Sequence, residues 1–245
     1  MPDFITTPQG RVLAYDRTPG NGPGVIFLGG FKSDMTGTKA LHLQAWAHAT
    51  GRAFLRFDYS GHGASSGAFL DGSISDWAQD AAHMLAQTAG PQILVGSSMG
   101  GWIALLLARQ FPERVAGLVG IAAAPDFTDR MWDTFTPAQM VQIEATGQYE
   151  EPSSYSPDPY IFTRHLLTDG QNNLVLHTPL PLPFPVRLLQ GTADTDVPPT
   201  VALSLLNHAT GPDIRLTLVK GADHRFSTPD CLALIVQAVT ETTES

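Results

Sequence analysis

The chain has a single cysteine, Cys231, among 245 residues. It can form neither an internal disulfide nor a cysteine-based metal site, and a reducing compartment fits. The apolar neighbours Leu232, Leu234 and Ile235 suggest a buried helix position for that thiol. Lysine is nearly as scarce, with Lys32, Lys39 and Lys220 alone, and 14 Lys+Arg against 23 Asp+Glu leave a formal net charge of −9. No basic face is available to neutralise a phosphate backbone, so nucleic acid is not an expected partner. No apolar run approaches the ~18–20 residues that cross a bilayer, so no membrane span is expected. The opening Met1-Pro2-Asp3-Phe4-Ile5 lacks the basic and apolar regions of a signal peptide and the Arg/Ser-rich character of a transit peptide. A cytoplasmic protein is expected.

What the sequence does hold is core-forming material and turns: 43% of residues are hydrophobic, with 23 Gly and 19 Pro. That excludes a coiled coil or a disordered tail and suits one large domain spanning 1–245. Hydrophobic runs read against Gly/Pro punctuation alternate between strand and helix. The expected elements are strands Val12–Arg17 and Val25–Leu28, helix Thr38–Thr50, strand Ala53–Tyr59, helix Ile74–Thr88, strand Gln92–Gly96 and helix Met99–Phe111. Strands Val115–Ile121 and Val186–Gln190, helix Pro199–His208, strand Arg215–Val219 and helix Asp230–Thr240 follow. This alternation predicts an α/β fold, a doubly wound and mostly parallel sheet with both faces covered. The first two strands, with no room for a crossover helix between them, are expected to form an antiparallel edge.

The alternation breaks at about 125–185, where two short helical patterns lie near Pro137–Thr146 and Pro159–Leu167, ahead of a Pro-rich exit, Pro179-Leu-Pro-Leu-Pro-Phe-Pro185. Too short and Pro-rich for a core of its own, this segment is expected to form a helical lid insertion across the carboxyl edge of the sheet, where open α/β sheets bind ligands.

Gly96-Ser97-Ser98-Met99-Gly100 satisfies G-x-S-x-G directly after an apolar strand and directly before a helix. A nucleophile on so sharp a turn has a strained backbone and close neighbours, which explains the glycines. Ser98 fits the frame, whereas Ser97 does not, because Val95 occupies its glycine position. The bland alternative is a capping serine on a Gly-rich turn.

A serine hydroxyl needs a base, and the base needs an anion. In this kind of sheet the order is Ser, Asp/Glu, His. Asp194 follows strand Val186–Gln190 and is the expected acid. Asp196 is its rival, with a loop or N-cap role as the alternative, and Asp126 is a weaker one. His224 lies in the loop after the last strand and is the expected base. His62, in a glycine turn, is expected to be structural or supporting. His42, His48, His83 and His208 belong to helix faces, His165 and His177 lie in the insertion, and no H-E-x-x-H pairing points to metal.

An attacked carbonyl builds negative charge, which calls for preorganised N–H donors. Met99, after the nucleophile, supplies one, and Phe31, in Gly29-Gly30-Phe31-Lys32, is the second by position. Gly30, Lys32 and Arg225 lie next to the expected site loops. The two cations could attract an anionic group such as a glucuronate carboxylate or a phosphopantetheine phosphate, with surface ion pairing as the alternative. Trp132, Phe135, Met140, Tyr149, Tyr155, Tyr160 and Phe162 in the insertion would line a site for an apolar acyl or aromatic group, or else fasten the insertion to the sheet.

With these residues in this order, the whole chain resembles the α/β-hydrolase family. More narrowly, Gly37-Thr-Lys-Ala-Leu41, Arg56-Phe-Asp-Tyr-Ser-Gly61, Gly90 through Trp102 and Asp223-His-Arg225 resemble a mitochondrial branch of palmitoyl-protein thioesterases and acyl-glucuronide esterases, as do Pro152-Ser-Ser-Tyr-Ser156 and His177-Thr-Pro-Leu-Pro181. The resemblance implies Ser98 as nucleophile, Asp194 as acid and His224 as base. No leader is expected, as in a bacterial relative of that branch, and the chain departs from it in carrying Gly29-Gly30 where many of the family have His-Gly. The expected activity is serine hydrolysis of a small-molecule carboxylic ester or thioester with no cofactor. Carbon–carbon bond hydrolysis, or a non-catalytic ligand-binding module on the same fold, are the alternatives.

Overall fold

The run Gln92-Ile-Leu-Val-Gly-Ser97 is buried at every position, a pattern that a strand sustains where helices cover both faces of its sheet. In the computed structural model, which describes residues 1–151 and 159–243, this run is β5 (Gln92–Ser97), an inner strand of an eight-stranded sheet. The other strands of that sheet are β1 (Asp3–Thr6), β2 (Val12–Thr18), β3 (Asn21–Leu28), β4 (Arg52–Phe57), β6 (Val115–Ile121), β9 (Val186–Gly191) and β10 (Ile214–Val219). Their spatial order is β1-β2-β4-β3-β5-β6-β9-β10. From β4 to β10 all neighbours are parallel, while β1 and β2 run antiparallel at one edge. The winding reverses between β3 and β5, so their carboxyl ends flank the crevice in which sheets of this kind bind ligands.

Side-chain alternation divides the core between two faces. Val25, Phe27, Ile93 and Val95 point toward α1 (Thr38–Thr50) and α8 (Pro229–Glu241), meeting Ala40, Leu43, Cys231 and Ile235. Ile26, Leu28 and Leu94 point toward α2 (Ile74–Ala86), α3 (Met99–Gln110) and α7 (Pro199–His208), meeting Trp77, Trp102 and Leu205. Trp77 and Trp102 are fully buried, so truncating either to alanine would cost roughly 3–5 kcal/mol. Cys231 lies buried on α8, as its neighbours suggested.

Three expectations need correction. β1 was not anticipated; its Asp3-Phe-Ile-Thr6 is mostly exposed and owes its form to pairing with β2. β2 and β3 are not neighbours. Thr18 pairs with Phe54 and Asn21 with Arg52, so the short link between the two strands passes over the start of β4, which enters between them after α1. The inserted segment holds more than two helices: α4 (Phe127–Thr134), α5 (Pro137–Thr146), the hairpin of β7 (Gln148–Glu151) and β8 (Tyr160–Thr163), and α6 (Arg164–Gln171).

Within the insertion only α5 has the expected bounds, closed by a Thr136/Gln139 capping box and by Gly147 at φ 78°. The pattern near Pro159–Leu167 divides instead, because Tyr160–Thr163 pairs with Gln148–Glu151 and Thr163 Oγ1 then accepts the Leu166 N–H to start α6. The segment is pinned to the main sheet's helices. Asp169 accepts the Ser75 N–H at 2.8 Å, and Trp102 Nε1 donates to the Asn173 carbonyl at 3.0 Å. In the Pro-rich exit, Leu180, Leu182 and Phe184 are buried in alternation.

Candidate active site

Parallel pairing sets the ends of five strands side by side. Leu28 lies opposite Gly96, Ser97 opposite Ile121, Ile121 opposite Leu189, and Gly191 opposite Val219. The loops that leave β3, β5, β9 and β10 therefore open on one edge, and these loops carry Phe31, Ser98, Asp194 and His224.

Ser98 stands between β5 and α3 at φ 54° and ψ −120°, a conformation that costs a non-glycine residue on the order of 1–3 kcal/mol. The flanking glycines permit the turn. A Cβ on Gly100 would lie 2.0 Å from the Leu28 carbonyl oxygen, and one on Gly96 would lie 2.3 Å from the Gly100 carbonyl oxygen. The Ser98 hydroxyl donates to His224 Nε2 at 3.1 Å, and His224 Nδ1–H donates to Asp194 Oδ2 at 2.9 Å.

Asp194 is held on both oxygens. Oδ1 accepts the N–H groups of Asp196 and Val197 at 3.0 and 2.8 Å, and Oδ2 also accepts Gln190 Nε2 at 2.9 Å. Burial works to raise the Asp194 carboxyl, but the hydrogen bonds from His224, the Val197 N–H and Gln190 hold it below the usual aspartate range. Gln190 was not singled out from the sequence, although a glutamine closing the apolar strand Val186–Gln190 was a signal that could have found it.

Neither rival for Asp194 is hydrogen-bonded to His224 among the described residues. The Asp196 side chain is exposed and does not cap α7, whose N-cap is Pro198. Asp126 is buried and accepts the Val175 and Leu176 N–H groups at 2.9 and 2.8 Å, with burial pushing its pKa up. His62 is buried among Tyr59, Phe69 and Trp77, and burial lowers its pKa. His177 Nε2 lies 3.1 Å from Asp129 Oδ2. Among the described residues no three His, Cys, Asp or Glu side chains group so as to hold a metal ion.

Ser98 and His224 border two cavities. The first, about 360 Å³, is walled by Phe31, Met99, Phe127, Met131, Phe162 and Val197, with Arg130, Glu151 and Asp196 also facing it. Phe31 stacks on Phe162 at 5.2 Å and meets Phe127, Phe69 and Trp77 edge-on, which fixes the loop after β3. The backbone N–H groups of Met99 and Phe31 have no hydrogen-bond partner among the described residues. The second cavity, about 300 Å³, is bordered by Gly30, Lys32, Lys39 and Arg225.

Of the residues expected to touch substrate, Gly30, Lys32 and Arg225 line this second cavity, whereas Trp132 and Phe135 line neither. On α4, Phe127, Arg130, Met131 and Thr134 face the first cavity at i, i+3, i+4 and i+7. Trp132 is on another face; it packs on Phe135, which packs on Tyr149, so these aromatics fasten the insertion. Tyr155 and the Pro152–Ser156 stretch lie outside the described residues.

A nucleophile-elbow geometry at the carboxyl edge of a doubly wound sheet defines a class, and comparison with known proteins agrees with it. The family model described as "Serine aminopeptidase, S33" matches residues 25–149, and the chain belongs to the α/β-hydrolase family. Within it the chain is similar to the mitochondrial palmitoyl-protein thioesterase ABHD10 of Rattus norvegicus, 37% identical over 235 residues, covering 95% of this chain and 79% of the relative. A putative hydrolase from Agrobacterium vitis S4 superposes with a TM-score of 0.95 at 43% identity, covering 99% of this chain and 98% of the other. The mouse α/β-hydrolase domain-containing protein 10 gives 0.93 at 33% identity, covering 100% and 98%. The chain is a hydrolase of the esterase and thioesterase kind.

Proposed function

We propose that this protein hydrolyses carboxylic esters or thioesters of small molecules through an acyl-enzyme on Ser98. The observation that carries the reading is the unbroken relay of hydrogen bonds from Asp194 through His224 to Ser98, at 2.9 and 3.1 Å, on the border of two cavities.

His224 Nε2 takes the Ser98 hydroxyl proton as Oγ attacks the carbonyl carbon, and the Met99 and Phe31 amides receive the oxyanion. The imidazolium, steadied by Asp194, then gives that proton to the departing alkoxide or thiolate. Water, deprotonated in turn by His224, attacks the acyl-enzyme, and collapse of the second intermediate returns the proton to Ser98. The first cavity lies at the small end of ligand-site volumes, about 300–1,000 Å³, and its aromatic and aliphatic walls suit an apolar acyl or aryl group. The inserted segment supplies Phe127, Met131 and Phe162 to those walls and acts as its lid.

The test is hydrolysis of matched oxyesters and thioesters from short to long acyl chain, with Ser98→Ala as control. The variant is expected to lose at least ~10³-fold in kcat and to escape labelling by a fluorophosphonate, since residues of such a relay act as one unit. Turnover retained in Ser98→Ala would sink the assignment.

A further inference from the structure

We propose that the second cavity is a leaving-group subsite for an anion, a carboxylate or phosphate on the departing alcohol or thiol, with Lys39 and Lys32 as its specificity-determining residues. The inference rests on the reading of Ser98 as nucleophile and adds the chemistry of the group that leaves.

The two cavities that meet at Ser98 differ in charge. Among the described residues the first carries the Arg130 cation against Glu151 and Asp196, and burial together with the Asp196 charge makes ionisation of Glu151 harder. An anion would be repelled there. Among the described residues the second is lined by Lys32 and Lys39, beside Arg225, with Asp34 as its one carboxylate, and the Asp34 carboxylate already accepts the Thr36 N–H and hydroxyl. In a chain of net charge −9 with three lysines, two of those lysines border a single cavity beside the nucleophile.

Neither lysine has a carboxylate partner within 4 Å among the described residues. Lys32 Nζ donates to the Pro159 carbonyl at 3.2 Å and stands 5.9 Å from the Tyr160 ring centroid. Lys39 Nζ donates to the Arg225 carbonyl at 2.6 Å. Both ammonium groups keep donors for a ligand, and an ester held across Ser98 with its acyl group in the apolar cavity directs its leaving group here. Arg225 directly follows His224, so this cavity adjoins the proton donor that the departing atom requires.

Lys39 also has a titration that reports on the site. Burial, with the Arg225 charge, lowers it from 10.5 to about 8, against the opposing pull of Asp223 and Cys231. Lys32, Asp34, Tyr160, His224 and Arg225 are the other ionisable groups around the same space among the described residues.

The experiment compares kcat/KM for two matched pairs of S-hexanoyl thioesters: pantetheine against 4′-phosphopantetheine, and 3-mercaptopropionamide against 3-mercaptopropionate. At pH 7 the wild type is expected to prefer at least one anionic member by about tenfold, the scale of one charged hydrogen bond, and the two pairs separate phosphate from carboxylate. Lys39→Gln is expected to lower that ratio severalfold and Lys39→Arg to keep it. Between pH 7 and 9 the wild-type ratio is expected to decline while that of Lys39→Arg holds. A ratio near one in both pairs overturns the subsite while leaving Ser98 hydrolysis standing. A ratio unmoved by Lys39→Gln, even with both rates lowered, overturns the role of Lys39. Failure of all four thioesters to turn over removes the reading of Ser98 and the subsite with it.

Discussion

At the residue scale, five non-glycine residues among those described hold positive φ: Lys32, Ser98, Ala122, Asp126 and Phe226. Each follows or lies near the carboxyl end of a sheet strand, so the strain is concentrated at the edge that carries the chemistry. At the same edge Gln190 serves more than one partner. Its Nε2 donates both to Asp194 Oδ2 and to the Val197 carbonyl, tying the acid to the loop that presents it. Removing this donor frees a lone pair on the oxygen that receives His224 and raises the Asp194 carboxyl toward its ordinary range. Gln190→Leu is therefore expected to lower kcat by on the order of tenfold and to displace the acidic limb of the pH–rate profile to higher pH. A profile and kcat both equal to wild type would show that Val197 and Asp196 alone hold the acid.

At the scale of elements, the parts of the site that lie on long, regularly punctuated segments were legible in the sequence. Strand Gln92–Ser97, its glycine-flanked serine and the helix behind it form one local unit, so the placement of Ser98 on a sharp strand-to-helix turn could be read from about fifteen residues. Asp194 and His224 could be placed because the loop after each strand is short. The insertion was poorly legible for the converse reason. Gln148-Tyr-Glu-Glu151 has no apolar alternation, and it is a strand only because Tyr160–Thr163 pairs with it. Phe127 begins α4 behind an N-cap, Asp126, whose side chain serves distant amides instead of its own helix.

That use of Asp126 gives a prediction at this scale. Asp126→Ala orphans the buried Val175 and Leu176 N–H groups and puts a Cβ residue without a polar tip at φ 55°. The expected loss is about 2–4 kcal/mol in urea unfolding. Asp126→Asn keeps an acceptor and tolerates the left-handed backbone, so it should lose about half as much and retain turnover, whereas Asp194→Asn should lose turnover with little change in stability. Equal inactivation by the two Asn variants would overturn the division between tether and acid.

At the scale of the whole molecule, a chain of net charge −9 sets an anionic background in which the cationic cavity is a local reversal. Screening over about 8 Å at physiological ionic strength lets the two coexist, so the cavity is felt at contact and the background hardly at all. The reversal has a stability cost, and Lys39 shows its sign. An ammonium whose folded pKa is lowered to about 8 from 10.5 is harder to keep charged in the folded chain than in the unfolded one. Below about pH 8 the full penalty is present. Between about 8 and 10.5 the folded state releases the proton that the unfolded state still binds, so stability rises with pH and the penalty disappears. Lys39→Met, which keeps the length of the stem and drops the charge, is therefore expected to melt higher than wild type at pH 7, by about 2–4 °C for each kcal/mol recovered. The gain should shrink as the pH is raised through 8 toward 10.5 in a thermal-unfolding series. A variant that melts lower at pH 7, or whose difference from wild type does not change with pH, would mean that the Arg225 carbonyl and Asp223 repay the burial of Lys39 in full, and that nothing need be gained in function to keep it there.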